Sequence, residues 1–217
     1  MEIIFSCKDF AVAVKPYGVL SEYDAGRTNM ITELSSALGV PPESVFPVHR
    51  LDVTTEGLMV YALSESAAAE LSRAVAGGEL KKTYLAFVTA ADGLEKEGEM
   101  CDYLFFDRRA AKSYVVAPAK KGAKEARLSY SLGEPFEWRG VTVTPATIEL
   151  HTGRTHQIRA QFSSRRSAII GDGKYGSRIN YKKPTLFSVG LSFSFRGKRY
   201  DYSIVDRIRF DSEFLQK

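Results

Sequence analysis

The seven residues Gly57-Leu58-Met59-Val60-Tyr61-Ala62-Leu63 carry no charge and no alternation of polar with apolar side chains. A strand with one wet face shows a period of two, so an unbroken apolar run of this length fits a central strand covered on both faces. The fold has to bring cover to both sides of it. The segment leading in, Val48-His49-Arg50-Leu51-Asp52-Val53-Thr54-Thr55-Glu56, sets an acid beside a cation in a loop at the mouth of that strand. Arg50 and Asp52 stand two apart and can converge on one side of an extended backbone. A structural ion pair and an active-site carboxylate both fit that spacing.

Other segments supply the cover. Glu2 to Cys7 and Phe10 to Lys15 read as two short strands turning at Lys8-Asp9, followed by a shaped loop at Lys15-Pro16-Tyr17-Gly18. Met30, Ile31, Leu34 and Leu38 recur at helical spacing, with Thr28 or Asn29 as cap and Gly39 and Pro41-Pro42 as stop. Val45 to Val48 is a short strand, and Ser64 caps a helix running to Ala76. In Lys81 to Val88, alternation puts Lys82, Tyr84, Ala86 and Val88 on one face. Ala91 to Lys112 has little regular signal beyond a short strand at Tyr103 to Phe106. Ser113 to Ala117, Glu125 to Leu132 and Val141 to Leu150 look like an antiparallel meander. Beyond Gly153 a helix that Thr155 can cap buries Ile158 and Phe162 and carries Arg159 near its start. A Gly-rich loop at Gly171 to Gly176 and two strands, Leu186 to Phe195 and Lys198 to Val205, close the chain. The pattern predicts one α+β domain over residues 1–217, on a large mixed, mostly antiparallel sheet flanked by helices.

Several chemistries find no residues. No apolar run approaches the roughly 18–20 residues of a membrane span, and no secretory signal is visible. Cys7 and Cys101 lack a CxxC pattern and read as free thiols of a cytoplasmic protein. His49, His151 and His156 form no HExxH or Cys/His cluster, so no metal is expected, and neither a Walker loop nor a GxSxG elbow is present. The net charge of +4 is concentrated. Arg108, Arg109, Lys112, Lys120, Lys121, Lys124 and Arg127 form one basic stretch, and Arg165, Arg166, Lys174, Arg178, Lys182 and Lys183 a second. Two such stretches point to a polyanion. An aspartate beside arginines, a mid-strand tyrosine and basic flanks suit a carboxylate nucleophile or base acting on nucleic acid without a cofactor.

At this point the sequence resembles a known family. His49-Arg50-Leu51-Asp52 followed by Thr54-Thr55 and Gly57-Leu58 is similar to the HRLDxxTSGL motif of the RluA-type pseudouridine synthases. Lys15-Pro16 with Gly18 resembles their KPxG loop, and Lys82-Thr83-Tyr84 with Ala86 and Val88 their KxYxAxV strand. Thr152 to Arg159 with Gly171-Asp172 and Tyr175-Gly176 resembles their TGRTHQIR…GDxxYG segment. The resemblance leaves no room before Lys15 for the S4-like domain of many members. It implies that uridines in a structured RNA, ribosomal or transfer, are isomerised to pseudouridine by a monomer without cofactor. Asp52 would be the catalytic carboxylate, Arg159 the cation that pairs with it and keeps it ionised, and Tyr84 the ring stacked on the flipped uracil, able to accept the C5 proton. Arg50 would hold the flipped nucleotide, with His49, Lys15, Lys82, Arg154 and His156 as further RNA contacts. Glu56 departs from the family's small residue, and Gln161 stands where histidine is common. An RNA chaperone retaining the fold without catalysis is the alternative. A nucleoside glycosidase would want a second carboxylate, for which Glu56 is the nearby candidate.

Overall fold

Glu56–Ala62, the apolar run with the acid that precedes it, is a strand buried at every residue. The computed structural model describes residues 1–210. Among them the strands are β1 (Glu2–Ser6), β2 (Phe10–Lys15), β3 (Phe46–Pro47), β4 (Glu56–Ala62), β5 (Lys81–Thr89), β6 (Glu97–Asp107), β7 (Lys112–Val116), β8 (Lys124–Leu132), β9 (Phe136–Trp138), β10 (Val141–Leu150), β11 (Leu186–Phe195) and β12 (Lys198–Ser203). The helices are α1 (Met30–Leu38), α2 (Glu65–Ala76) and α3 (Gln157–Ser164). The chain divides into two compact units, Met1–Lys82 with the chain from Phe187 onward, and Thr83–Leu186.

In the first unit β4 pairs antiparallel with β2, from Phe10 opposite Ala62 to Lys15 opposite Gly57. Its other edge is shared. β3 covers Tyr61 and Ala62, and β11 runs parallel against Glu56 and Gly57. Between them, side chains take over the ladder: His49 Nε2 accepts from the Val60 N–H at 3.1 Å, and Ser188 Oγ donates to the Leu58 carbonyl at 3.0 Å. The parallel contact depends on Gly57, which has φ +127° and whose missing Cβ would lie 2.1 Å from the Ser188 carbonyl oxygen. β12 pairs with β11 and β1 with β2. Phe10 meets Phe193, Phe195 and Tyr200 edge-on at 5.4, 5.5 and 5.0 Å, an aromatic core to which all four strands contribute or lie adjacent. Asn29 caps α1 by accepting from Thr32 N–H, Gly39 ends it at φ 66°, and Ser64 caps α2.

In the second unit the strand order is β5-β10-β8-β6-β7, with β9 on β10. The α+β class and mostly antiparallel pairing agree with the sequence pattern. Two expectations change. The expected loop with one short strand is the eleven-residue β6, and β7 pairs with β6, while β8 lies on the other side of β6. Glu97, Gly98, Glu99 and Asp102 have poor β-propensity, so the strand is set by pairing on both edges and by the burial of Met100 and Leu104. Thr155 does not cap α3 either. His156 occupies that position at φ 55° without a capping side chain. Gln157 folds back instead, its Oε1 accepting from Arg154 N–H at 3.0 Å and from Thr152 Oγ1 at 2.8 Å. Helix α3 is packed through Phe162 on Tyr130, ring centroids 5.8 Å apart. Among the described residues no helix is long and apolar enough to cross a membrane.

Candidate active site

Within the first unit, Asp52 occupies the turn between β3 and β4, where its carbonyl accepts from Thr55 N–H at 2.9 Å. Ser21 clamps the preceding residue, exchanging hydrogen bonds with Leu51 N–H at 3.1 Å and Leu51 carbonyl at 3.0 Å. Gly18 N–H reaches the Val53 carbonyl at 2.9 Å, so the Lys15–Gly18 loop braces the motif from its other side. Asp52 itself is half-buried. Arg50 lies at the surface and reaches Glu22 at 3.6 Å.

Lys15, expected as an RNA contact, is turned inward. It is fully buried at 0% exposure, and its ammonium donates to the carbonyls of Val19 at 2.8 Å, Pro16 at 2.9 Å and Val53 at 3.4 Å. Three donors committed to the backbone leave none to aim at phosphate. Burial lowers its pKa to about 8, against the opposing pull of the carboxylates of Glu56 and then Asp52. Glu56, 6% exposed at the start of β4, is therefore the main acidic counterpart of a buried lysine. A pH dependence follows. Between about pH 8 and pH 10.5 the folded chain has released the Lys15 proton while the unfolded chain keeps it. Stability must rise with pH across that window, and Lys15→Met should remove the rise. Paired urea titrations of wild type and variant at pH 7.5 and pH 10 check it, equal pH dependence being the contrary result.

His49 is likewise tied into the fold. With Nε2 accepting from Val60, the neutral ring carries its proton on Nδ1, which is buried with no acceptor among the described residues. Burial first, then the nearby charge of Lys82, pushes its pKa down to about 3. A neutral ring tied to a central strand is a structural group and supplies no cation for phosphate. Lys82 is half-buried, and burial lowers its pKa.

The second unit holds the other two expected catalytic residues. Tyr84 lies mid-way along β5 opposite Ile148 and is 5% exposed. Arg159 is the third residue of α3 and 4% exposed. Asp172 grips it along one edge: Nε donates to Oδ2 at 2.6 Å and Nη2 to Oδ1 at 2.8 Å. The Tyr175 ring lies 4.8 Å from the Arg159 guanidinium carbon. Its hydroxyl accepts from Ser113 N–H at 2.8 Å and sits 3.0 Å from His156 Nδ1. His156 is therefore engaged inside the unit. Arg154 is exposed, with Nε on the Glu125 carbonyl at 2.7 Å. Gln161, in the place of a common histidine, is fully buried and donates to Asp102 and to the carbonyls of Met100 and Ala126.

The sequence pattern gave no role to Asp172 or Tyr175, although the TGRTHQIR…GDxxYG segment contains both. Arg108, Arg109, Lys120, Lys121, Lys124 and Arg127 are exposed as the basic stretch predicts. Arg165 of the second stretch is drawn into an ion pair with Asp102 at 2.9 Å. Among the described residues no group of three or more His, Cys, Asp or Glu is placed to hold a metal ion.

Comparison with known proteins bears on these clusters. The family model described as RNA pseudouridylate synthase matches residues 9–164. An uncharacterised RNA pseudouridine synthase of Aquifex aeolicus is 32% identical over 201 residues, covering 87% of this chain and 60% of the relative. A tRNA pseudouridine synthase C of Vibrio vulnificus is 33% identical over 190 residues, covering 81% of this chain and 74% of the relative. This chain thus spans between three-fifths and three-quarters of the length of these relatives. Among solved structures, human RNA pseudouridylate synthase domain containing 1 superposes with a TM-score of 0.79, at 21% identity, over 94% of this chain and 82% of that one. That likeness is one of fold.

Proposed function

The chain belongs to the RNA pseudouridylate synthase family, isomerases that act on RNA, and from that premise we propose that it converts uridine to pseudouridine in a structured transfer or ribosomal RNA, with Asp52 as the catalytic carboxylate. The observation that carries the reading is the single family match over residues 9–164, which runs through Asp52, Tyr84 and Arg159. The reaction breaks the bond from ribose C1′ to uracil N1 and joins C1′ to C5. The C5 proton is lost and N1 gains one, so no oxidant or energy source is consumed. A uracil stacked in an RNA helix is out of reach, and flipping it out costs a few kcal/mol that phosphate contacts can offset. Exposed Arg50 suits the space the base vacates, and the exposed basic stretch suits the backbone.

In this proposal Asp52 acts on the sugar or on its neighbouring proton, Arg159 supplies the countercharge, and Tyr84 stacks on the uracil and takes the C5 proton. The protein works as a cytoplasmic monomer. Tritium release decides between this and an RNA chaperone on the same fold. Ribosomal and transfer RNA transcripts labelled with tritium at uridine C5 should lose label to water in the presence of the protein. Binding of those transcripts with no release from any of them would establish the chaperone instead.

A further inference from the structure

We propose that the tip of the β9–β10 hairpin and the 177–183 loop packed on it form a surface for unpaired nucleotides of RNA, centred on Trp138, Arg139 and Tyr181; this rests on the reading of the substrate as RNA. All of it lies in the second unit. Trp138 pairs with Val141 across the turn, so Arg139 and Gly140 are its two central residues, with φ 50° and 74°. Two positive φ values in a row favour asparagine, aspartate or glycine at the first of these places, and arginine is the poorer turn former. What arginine brings is its head group. The Arg139 guanidinium carbon lies 4.7 Å from the centre of the Trp138 ring, on a residue that is otherwise exposed.

The loop adds the same chemistry. Tyr181 meets Trp138 edge-on, ring centroids 5.7 Å apart at 73°. Gly171 makes room for that loop: with φ +78°, its missing Cβ would lie 2.2 Å from the Lys183 carbonyl oxygen and 3.1 Å from the Tyr181 Cβ. From 173 to 184 the chain carries Lys174, Arg178, Lys182 and Lys183 and no acid. Arg139, Arg178 and Lys182 are exposed, and among the described residues no carboxylate pairs with any of them. Other exposed arginines do find acids, Arg199 on Asp201 at 2.8 Å and Arg207 on Glu2 at 2.7 Å. The acids of the hairpin are engaged: Glu137 accepts from Thr142 Oγ1 at 2.5 Å, and Glu134 meets the Lys96 ammonium at 3.3 Å. Uncompensated cations beside aromatic rings offer a single strand both things it presents, charge for its phosphates and flat groups for its bases. A contact that only stapled loop to hairpin would be complete with Trp138 against Tyr181, and would give no reason for arginine at the turn.

Trp138 is the single tryptophan of the chain, so the surface carries its own reporter. Unlabelled ribosomal and transfer RNA transcripts added to the wild-type protein should change Trp138 emission, with the same midpoint as filter binding. Arg139→Asn puts a residue that the turn prefers in place of the arginine, so the hairpin is kept and Tm should not fall. Its filter-binding Kd should rise roughly five-fold or more, the loss expected of one stacked base. A folded Arg139→Asn that binds within about two-fold of wild type overturns the proposal. Trp138 emission that stays constant at saturating RNA overturns it too. A wild-type protein that binds neither transcript overturns the RNA reading on which the proposal rests. One that binds them without releasing tritium overturns the catalytic reading alone, a result distinct from an active wild type matched in affinity by Arg139→Asn.

Discussion

Asp52→Asn is expected to abolish tritium release from C5-labelled uridine, by about 10⁴-fold or more, with RNA affinity within a few-fold of wild type. The amide keeps the size and one acceptor of the carboxylate but can neither attack carbon nor accept a proton as a base. Removing a nucleophile from an otherwise intact site costs rate on that scale. Affinity should survive because the phosphate contacts proposed for the exposed basic stretch lie away from Asp52 in the sequence. The fold should survive too. The turn at Asp52 is held through its backbone carbonyl by Thr55 and through Leu51 by Ser21. Lys15 keeps its three carbonyl acceptors and Glu56 as the larger of its two acidic influences. Residual release near the wild-type rate would remove Asp52 from the chemistry.

What the sequence made legible was the set of signals that act locally. The helix caps at Asn29 and Ser64, the αL stop at Gly39 and the unbroken apolar strand β4 all appear where residue chemistry places them. Strand β6 was hidden because its pairing partners, β7 and β8, lie downstream and override the poor propensity of its first residues. The roles of charged groups were hidden for a related reason. Lys15 looks like a loop lysine until the fold turns three carbonyls onto its ammonium and sets Glu56 at the head of β4, beside the residue opposite it. Glu56, anomalous in a motif that favours a small residue, becomes intelligible only with Lys15 buried. His49 similarly looks like a cation beside an arginine, yet it fills a gap in the hydrogen-bond ladder of β4, which no spacing rule encodes.

Arg159→Ala is expected to fail twice, and the two failures can be separated. Truncating the arginine leaves Asp172, 1% exposed, as a buried carboxylate without its bidentate partner. Breaking a buried pair from one side costs about 3–5 kcal/mol. For a chain of this size that is a fall in Tm of roughly 6–20 °C. Tritium release should also vanish, because the countercharge proposed for Asp52 is gone. Loss of activity alone would not distinguish a misfolded protein from a disarmed one. The double substitution Arg159→Met with Asp172→Leu replaces both charges by apolar side chains of similar volume, an exchange that is commonly neutral or stabilising for buried pairs. It should recover most of the lost Tm and none of the activity. Recovery of both would reduce Arg159 to a structural pair of the second unit, and the catalytic cation would have to be sought elsewhere. Recovery of stability alone supports the catalytic reading of Arg159, since the fold then stands without the pair while the reaction does not.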